Sequence, residues 1–165
     1  RHVKARILST GAALVNDPLP WEGNKGLQGS RFSAQFNLAV ALLHGRKGLW
    51  NLLDKSYPPQ YLQSPEIREI MQSIEVIPDA ELDRNFPDQW SSVVELQLRN
   101  GKHLSRRVDY PLGEPETPMD GAMLAEKFRR LTGLAGWTEV KANEFIPMVN
   151  TLDKAKDLQP LLRYL

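Results

Sequence analysis

The stretch Val108–Asp120 constrains the chain most, because it fixes where regular structure must stop. Val108 and Tyr110 alternate with polar neighbours, as on a half-buried strand. Pro111, Pro115 and Pro118 then each fix φ and remove a backbone donor, so no helix or strand crosses the loop. Asp120 is a good N-cap for a helix beginning at Gly121, since its carboxylate can accept from the orphan amides of the next turn. Leu124, Phe128 and Leu131 fall on one face of the helix so opened. On these residues alone the stretch reads as a stiff connector between a strand and a helix.

Upstream, the hairpin predicted over Ser92–Tyr110 has a register that can be argued from its faces. Val94, Leu96 and Leu98 share one face, and Leu104, Val108 and Tyr110 another. A two-residue turn at Asn100-Gly101 mismatches these faces. A three-residue loop, Arg99-Asn100-Gly101, sets Leu96 opposite Leu104 and predicts a G1 bulge with Gly101 in the left-handed region. Arg106 is the one misfit on the apolar face.

The rest is read in order. His2–Ser9 alternates as a strand. Asp17–Gly29 is a loop punctuated by Pro18, Pro20, Gly23, Gly26 and Gly29, with Trp21 as its packing anchor. Ser30–His44 is the best core helix, with Phe32, Phe36, Ala39, Val40 and Leu43 on its stripe and Gly45 as its stop. The segment to Gln63, with Trp50, Tyr57 and Pro58, reads as irregular. Ser64-Pro65-Glu66 opens a helix whose face is Ile67, Ile70 and Met71, and Ile74–Ile77 is a strand stopped by Pro78-Asp79. The helix from Asp120 should end near Gly133. Thr138 caps another, which Pro147 should kink or split, and Asp153 caps a last one faced by Leu158, Leu161, Leu162 and Leu165. Strands and helices are segregated, so the fold class is α+β: a small mixed or antiparallel sheet of about four strands packed by helices, followed by C-terminal helices, in a single domain over residues 1–165.

Composition excludes more than it assigns. The chain has 165 residues, is 41% hydrophobic and 25% charged, and carries a net charge of +1, which argues against nucleic acid or an anionic membrane as partner. Arg106-Arg107 and Arg129-Arg130 are only pairs. No apolar run approaches a membrane span. The absence of cysteine excludes disulfides, thiolate metal sites and a Cys nucleophile, and gives no support for secretion; the expected compartment is the cytoplasm, with the mitochondrion as alternative. His2, His44 and His103 have no metal-ligand spacing, and each reads as a surface or capping histidine. There is no nucleophile elbow, dinucleotide fingerprint or P-loop. Asp109, Glu114 and Glu116 around the proline loop read as a solvated loop rather than an acid pair. The chain begins at Arg1 and enters a strand almost at once, which suggests a fragment or an excised domain.

The wording of the key stretch is more specific than its physics. Tyr110-Pro111-x-Gly113-x-Pro115-Glu116-x-Pro118, followed by Glu126-Lys127-Phe128, resembles the C-terminal part of the MmgE/PrpD family, which includes 2-methylcitrate dehydratases, cis-aconitate decarboxylases and an iminodisuccinate epimerase. Arg31-Phe32-Ser33-Ala34-Gln35-Phe36 with Ala39–Gly45 resembles a family helix, Pro65–Pro78 a helix–strand step, and residues 123–165 the closing helices.

The resemblance implies a lid, the smaller α+β domain, which closes a site against a larger helical domain of the same protein. It implies a small carboxylic acid substrate, neither metal nor organic cofactor, and often a homodimer. The family's acid/base lysines and histidines lie mostly in the helical domain and in a Lys-x-Tyr-Pro…His segment before the lid; His2 does not match that motif. No catalytic residue is therefore expected in this chain, and alone it should be inactive. The substrate-facing candidates are Phe36, where much of the family has Tyr, Ser33 and Arg31. By pattern alone Phe36 reads equally as core, Ser33 as an N-cap and Arg31 as a solvated cation. Two functions are compatible with these residues. One is part of a lyase or isomerase acting on small polycarboxylates, with Glu114-Pro115-Glu116 favouring a decarboxylase-like branch over the dehydratases. The other is a non-catalytic interaction module derived from the lid.

Overall fold

A computed structural model describes residues 2–20, 26–51 and 59–164. Trp21, Gly23, Tyr57, Pro58 and Leu165, to which the sequence assigns roles or positions, lie outside the described residues. The backbone gathers into two units, Arg1–Thr117 and Pro118–Leu165.

The first unit is built on β1 (His2–Ile7). Its inward residues Val3 and Ala5 are fully buried, while His2 and Lys4 alternate outward, exposed. The β1 strand pairs in parallel with β2 (Ile74–Pro78) and antiparallel with β3 (Ser92–Gln97), and β3 pairs antiparallel with β4 (His103–Val108), giving the order β2-β1-β3-β4. The expected α+β class and four-stranded mixed sheet are thus observed. Val3 lies between Ile74 and Leu96, and Ala5 between Val76 and Val94, so one face of the sheet is a continuous apolar floor. Every residue of β4, the edge strand, is exposed. Its hairpin has the expected register: Leu96 faces Leu104, Val94 faces Arg106, and Gly101 closes the three-residue loop at φ 80°. The Leu98 amide donates to Lys102 O and the Gly101 amide to Leu98 O, as the bulged turn requires.

Several elements were not foreseen. The α1 helix (Ser9–Val15) follows β1 directly, in a stretch to which the sequence pattern assigns no element. Its cap is supplied from far along the chain: the Asp83 carboxylate accepts from the Ser9 amide at 2.9 Å and from Ser9 Oγ at 2.6 Å. The α2 helix (Gly26–Arg31) occupies the end of the expected loop. The single helix predicted over Ser30–His44 is broken before it begins, and α3 runs Ala34–Asn51 instead. A kink at Gly45 (φ 62°, ψ −160°) matches the expected stop, but helical turns resume beyond it. The α4 helix (Pro59–Gln63) also lies in a stretch read as irregular. The α5 helix (Pro65–Gln72) is as expected: Ser64 Oγ accepts from the Ile67 amide, Pro65 opens the first turn, and Ile67, Ile70 and Met71 are buried. Asp79, expected only to end β2, caps the short α6 (Ala80–Asp83). Phe36, Ala39 and Val40 of α3 and the α5 stripe complete one core with the sheet floor.

The proline loop contains no helix or strand, as its composition dictates, and is tied to itself. Thr117 Oγ1 donates to Pro111 O at 2.6 Å, and the Gly113 amide to Thr117 O at 2.9 Å. Asp109 is held at its entrance by Ser91 Oγ and Arg107 Nε, both at 2.7 Å.

In the second unit, Asp120 caps α7 (Gly121–Leu134) through the Met123 amide at 2.7 Å. The helix ends at Leu134, beside Gly133 as expected. It closes in a Schellman motif just beyond: the Gly136 amide donates to Gly133 O, the Trp137 amide to Thr132 O, and Gly136 takes φ 86°. Thr138 caps α8 (Glu139–Asn150) as expected, but α8 runs unbroken through Pro147, where a kink or split was predicted. Asp153 lies in a 3-10 turn (Leu152–Lys154) and does not cap the last helix, α9 (Gln159–Leu162). Asp157 does, accepting from the Gln159 amide at 2.9 Å. Phe128 stacks on Phe145 at 5.4 Å between ring centres, and Trp137 meets both edge-on.

The packing makes two predictions. Gly133→Ala, inside α7 with nothing within 4 Å of the new Cβ, should raise amide-exchange protection in α7 about two- to five-fold; Gly136→Ala, forced into the left-handed region, should lower it. Hydrogen exchange followed by mass spectrometry reads both signs. The hydrogen bonds from Ser9 hold the Asp83 carboxyl below its ordinary 3.8, and Ser91 with Arg107 do the same for Asp109. A depressed folded value stabilises the fold above pH 3.8, and that stabilisation is lost as pH falls through the lower folded value. The melting temperature should therefore drop in this acid range, and less steeply in Asp83→Asn and Asp109→Asn.

Candidate functional site

The three substrate-facing candidates sit at the junction of α2 and α3. The backbone turns at Phe32 and Ser33, where the Phe32 amide donates to Gly29 O and the Ser33 amide to Ser30 O. Ser33 then acts at both ends of its hydroxyl. Its Oγ accepts from the Phe36 amide at 3.1 Å, capping α3, and donates to Asp17 O at 2.5 Å. A hydroxyl so engaged and fully buried fixes the incoming chain segment to the helix start.

Phe36 is 0% exposed and belongs to the core with Val3, Val40 and Ile67. Arg31, the last residue of α2, is exposed. Within this chain, then, Arg31 is the candidate whose side chain reaches solvent. As a guanidinium it suits a carboxylate, which it can engage with two parallel N–H donors.

Two neighbours went unnoticed in the sequence. Asn37 Nδ2 lies within hydrogen-bond distance of Ser30 O, Arg31 O and Ser33 O, at 3.2, 3.1 and 2.7 Å, and so ties the end of α2 to the first turn of α3. Gln35, 3% exposed, donates from Nε2 to Asn16 Oδ1 at 2.6 Å, while its buried Oε1 has no partner. Both are ordinary helix residues by composition, and nothing local marks them. Their meaning comes from a turn that pattern reading had smoothed into one long helix.

A concavity lies elsewhere, at the end of the sheet. It measures about 600 Å³ and is lined by His2, Glu66, Glu69, Ser73 and Arg99 among others. Arg99 pairs with Glu69 at 3.6 Å, and His2 with Glu75 at 3.4 Å. Carboxylates match or outnumber cations here, so the cleft offers no net positive charge to a polyanionic ligand. Of the other histidines, His44 lies against Tyr61 at 4.9 Å between ring centres, and His103 is exposed at the start of β4. The sheet brings His2 and His103 to one cleft, lined also by Lys4 and Glu95, and His44 is not among its lining residues. Among the described residues, no group of three or more His, Asp or Glu side chains is placed to hold a metal ion. Asp109 is taken up by Ser91 and Arg107, and a carboxylate held below its usual range is a weak base at neutral pH.

Comparison with known proteins fits this geometry into a wider one. Over 104 residues, 63% of this chain, the sequence is 27% identical to cis-aconitate decarboxylase of Aspergillus terreus, and it matches equally the protein of that name from A. terreus strain NIH 2624 / FGSC A1156. The matched region is 21% of each relative, so it spans about a fifth of their length. The family model for the MmgE/PrpD C-terminal domain matches residues 11–154, which takes in the α2–α3 junction, the sheet strands from β2 onward, the proline loop and α7 with α8. The chain belongs to the MmgE/PrpD family, as its C-terminal domain.

Proposed function

We propose that this chain is the lid-type domain of a cofactor-independent lyase or isomerase acting on small polycarboxylates, and that it works only together with a helical catalytic domain of the same protein. The observation that carries the reading is the family match over residues 11–154. The relatives named cis-aconitate decarboxylase make that acid the first substrate to test.

The chemistry asked of such a protein is proton transfer beside a carboxylate. In a decarboxylation the C–C bond to the departing carboxylate breaks, CO₂ leaves, and the electron pair left on carbon is taken up by a proton. The proton donors and acceptors are assigned to the helical domain, because the Lys-x-Tyr-Pro…His segment is not in this sequence. What the present chain contributes is recognition. Arg31, exposed at the end of α2, pairs with a substrate carboxylate; Ser33 and Asn37 hold the turn that presents it. Phe36 lines the wall behind them without a hydroxyl to offer.

No membrane attachment is part of this reading, and no helix among the described residues is long and apolar enough to cross a membrane. The residue-based alternative, a stand-alone interaction module, requires that the native polypeptide have no helical catalytic domain.

The test is turnover of cis-aconitate by the full-length native polypeptide, read as CO₂ release, with the isolated 165-residue chain expected to be inactive. In the full-length protein Arg31→Gln should raise KM about 10- to 100-fold, the value of one charged hydrogen bond of roughly 1.5–3 kcal/mol. Unchanged kinetics in Arg31→Gln would remove Arg31 from the site. Failure of the full-length protein on cis-aconitate, 2-methylcitrate and related acids would sink the polycarboxylate reading.

A further inference from the structure

The sheet ends in an open edge with a chemistry of its own. The β4 strand lies last in the order β2-β1-β3-β4, and no strand among the described residues pairs beyond it. Its outward backbone groups follow from the hairpin. The Leu98 amide donates to Lys102 O at 2.9 Å, so these two residues form a hydrogen-bonded pair. Bonded and non-bonded pairs alternate along an antiparallel ladder. The next bonded pairs are therefore Leu96 with Leu104 and Val94 with Arg106. The amides and carbonyls of His103, Ser105 and Arg107 turn the other way, to the open edge, where they can bond a further strand.

The side chains of this edge are of one sign. No acid stands between Glu95 and Asp109, whereas Arg99, Lys102, Arg106 and Arg107 all do. Arg99 pairs with Glu69 and Arg107 with Asp109. Among the described residues, Arg106 has no ion-pair partner. It stands on the apolar face of the sheet, opposite Val94 and between Leu104 and Val108, which are 41% and 40% exposed. Along β4 this face thus repeats apolar, cation, apolar at two-residue steps.

We propose that β4 takes up an extended acidic segment of another protein as an added strand. The outward groups of His103, Ser105 and Arg107 hold its backbone. Side chains opposite Leu104, Arg106 and Val108 share their face, so the docked strand reads apolar, any, acid, any, apolar. Charge complementarity selects this occupant. A second copy of β4 sets one cationic edge against another, and like charges facing each other across strands are destabilising. A wholly apolar strand covers Arg106 and leaves it unpaired. The proposal is independent of which acid the whole protein turns over.

The experiment titrates the full-length native polypeptide with a fluorescent peptide, Thr-Val-Thr-Glu-Thr-Val-Thr, and with its reordered form, Glu-Thr-Thr-Val-Val-Thr-Thr. The first should bind about five-fold more tightly or better. Hydrogen exchange, resolved by residue through electron-transfer fragmentation, should show protection rising at His103, Ser105 and Arg107. It should stay unchanged at Leu104 and Arg106, whose amides already lie in the ladder. Ser105→Pro removes one outward donor without touching β3 and should weaken binding about five-fold. Arg106→Glu should weaken it by a similar factor, and a peptide with lysine in place of its glutamate should recover the loss. Equal affinity for the two peptides, or binding without new protection at the three amides, reduces the edge to charge attraction and overturns the proposal. So does protection of those amides before peptide is added, which means that the edge is already covered, or no binding at about 1 mM peptide. Should Ser105→Pro fail to fold, the exchange pattern of the unsubstituted protein and the Arg106→Glu charge swap decide.

Discussion

The first unit depends on the burial of one face of β1. Val3 and Ala5 are the narrow centre of a floor that Ile74 and Val76 extend on one side and Leu96 and Val94 on the other. Parallel pairing to β2 demands a long crossover, and the chain spends it on α1 through α5. Phe36, Ala39 and Val40 of α3 share one core with this floor. The start of α3 is thereby fixed to the sheet through its apolar side, and the α2–α3 turn with Arg31 is fixed to the start of α3 through Ser33 and Asn37. The position of Arg31 is thus set through the core on which α3 packs.

What was legible in the sequence is what local chemistry decides. The hairpin register followed from matching Leu96 with Leu104, since a shift by one residue moves every side chain to the opposite face. Asp120, Thr138 and Ser64 were legible as caps because each bonds an amide three residues on. What was not legible is what distant residues decide. The α1 helix has no cap of its own, and Asp83 supplies one across the sheet. The α2–α3 break has no proline, and Ser30–Phe36 keeps an uninterrupted helical stripe; its local sign is Ser33, legible as an N-cap, whose Oγ accepts from the Phe36 amide and also donates to Asp17 O. At the far end Asp153 and Asp157 are equally good caps by type, and the backbone chose the second. Pro147 shows the same limit from the other side. Its missing donor is a local fact, but whether a helix stops there depends on what packs around it, and α8 continues.

The candidate site obeys the same division. Ser33 was read as either a cap or a substrate contact, and its hydroxyl is already occupied by the Phe36 amide and Asp17 O, so reaching a substrate would mean giving up one of them. Arg31 has no such prior commitment among the fixed backbone groups that define the turn. Gln35 and Asn37 were invisible because an amide side chain in a helix carries no signal until a carbonyl or another amide is brought to it. The cluster around Gln35 remains one hydrogen bond short at Oε1, which is costly in a buried setting.

Phe36 joins these threads. In much of the family the resemblance sets a tyrosine here, and a phenol is tolerable in a core only if its hydroxyl reaches a partner or the surface. In this chain the ring is 0% exposed and packs with aliphatic residues. A hydroxyl added to this buried ring would need a hydrogen-bond partner, and Val3, Val40 and Ile67 of the same core offer none. Phenylalanine therefore leaves no polar group unpaired in the core, and any demand for a hydroxyl at this position would have to come from outside it.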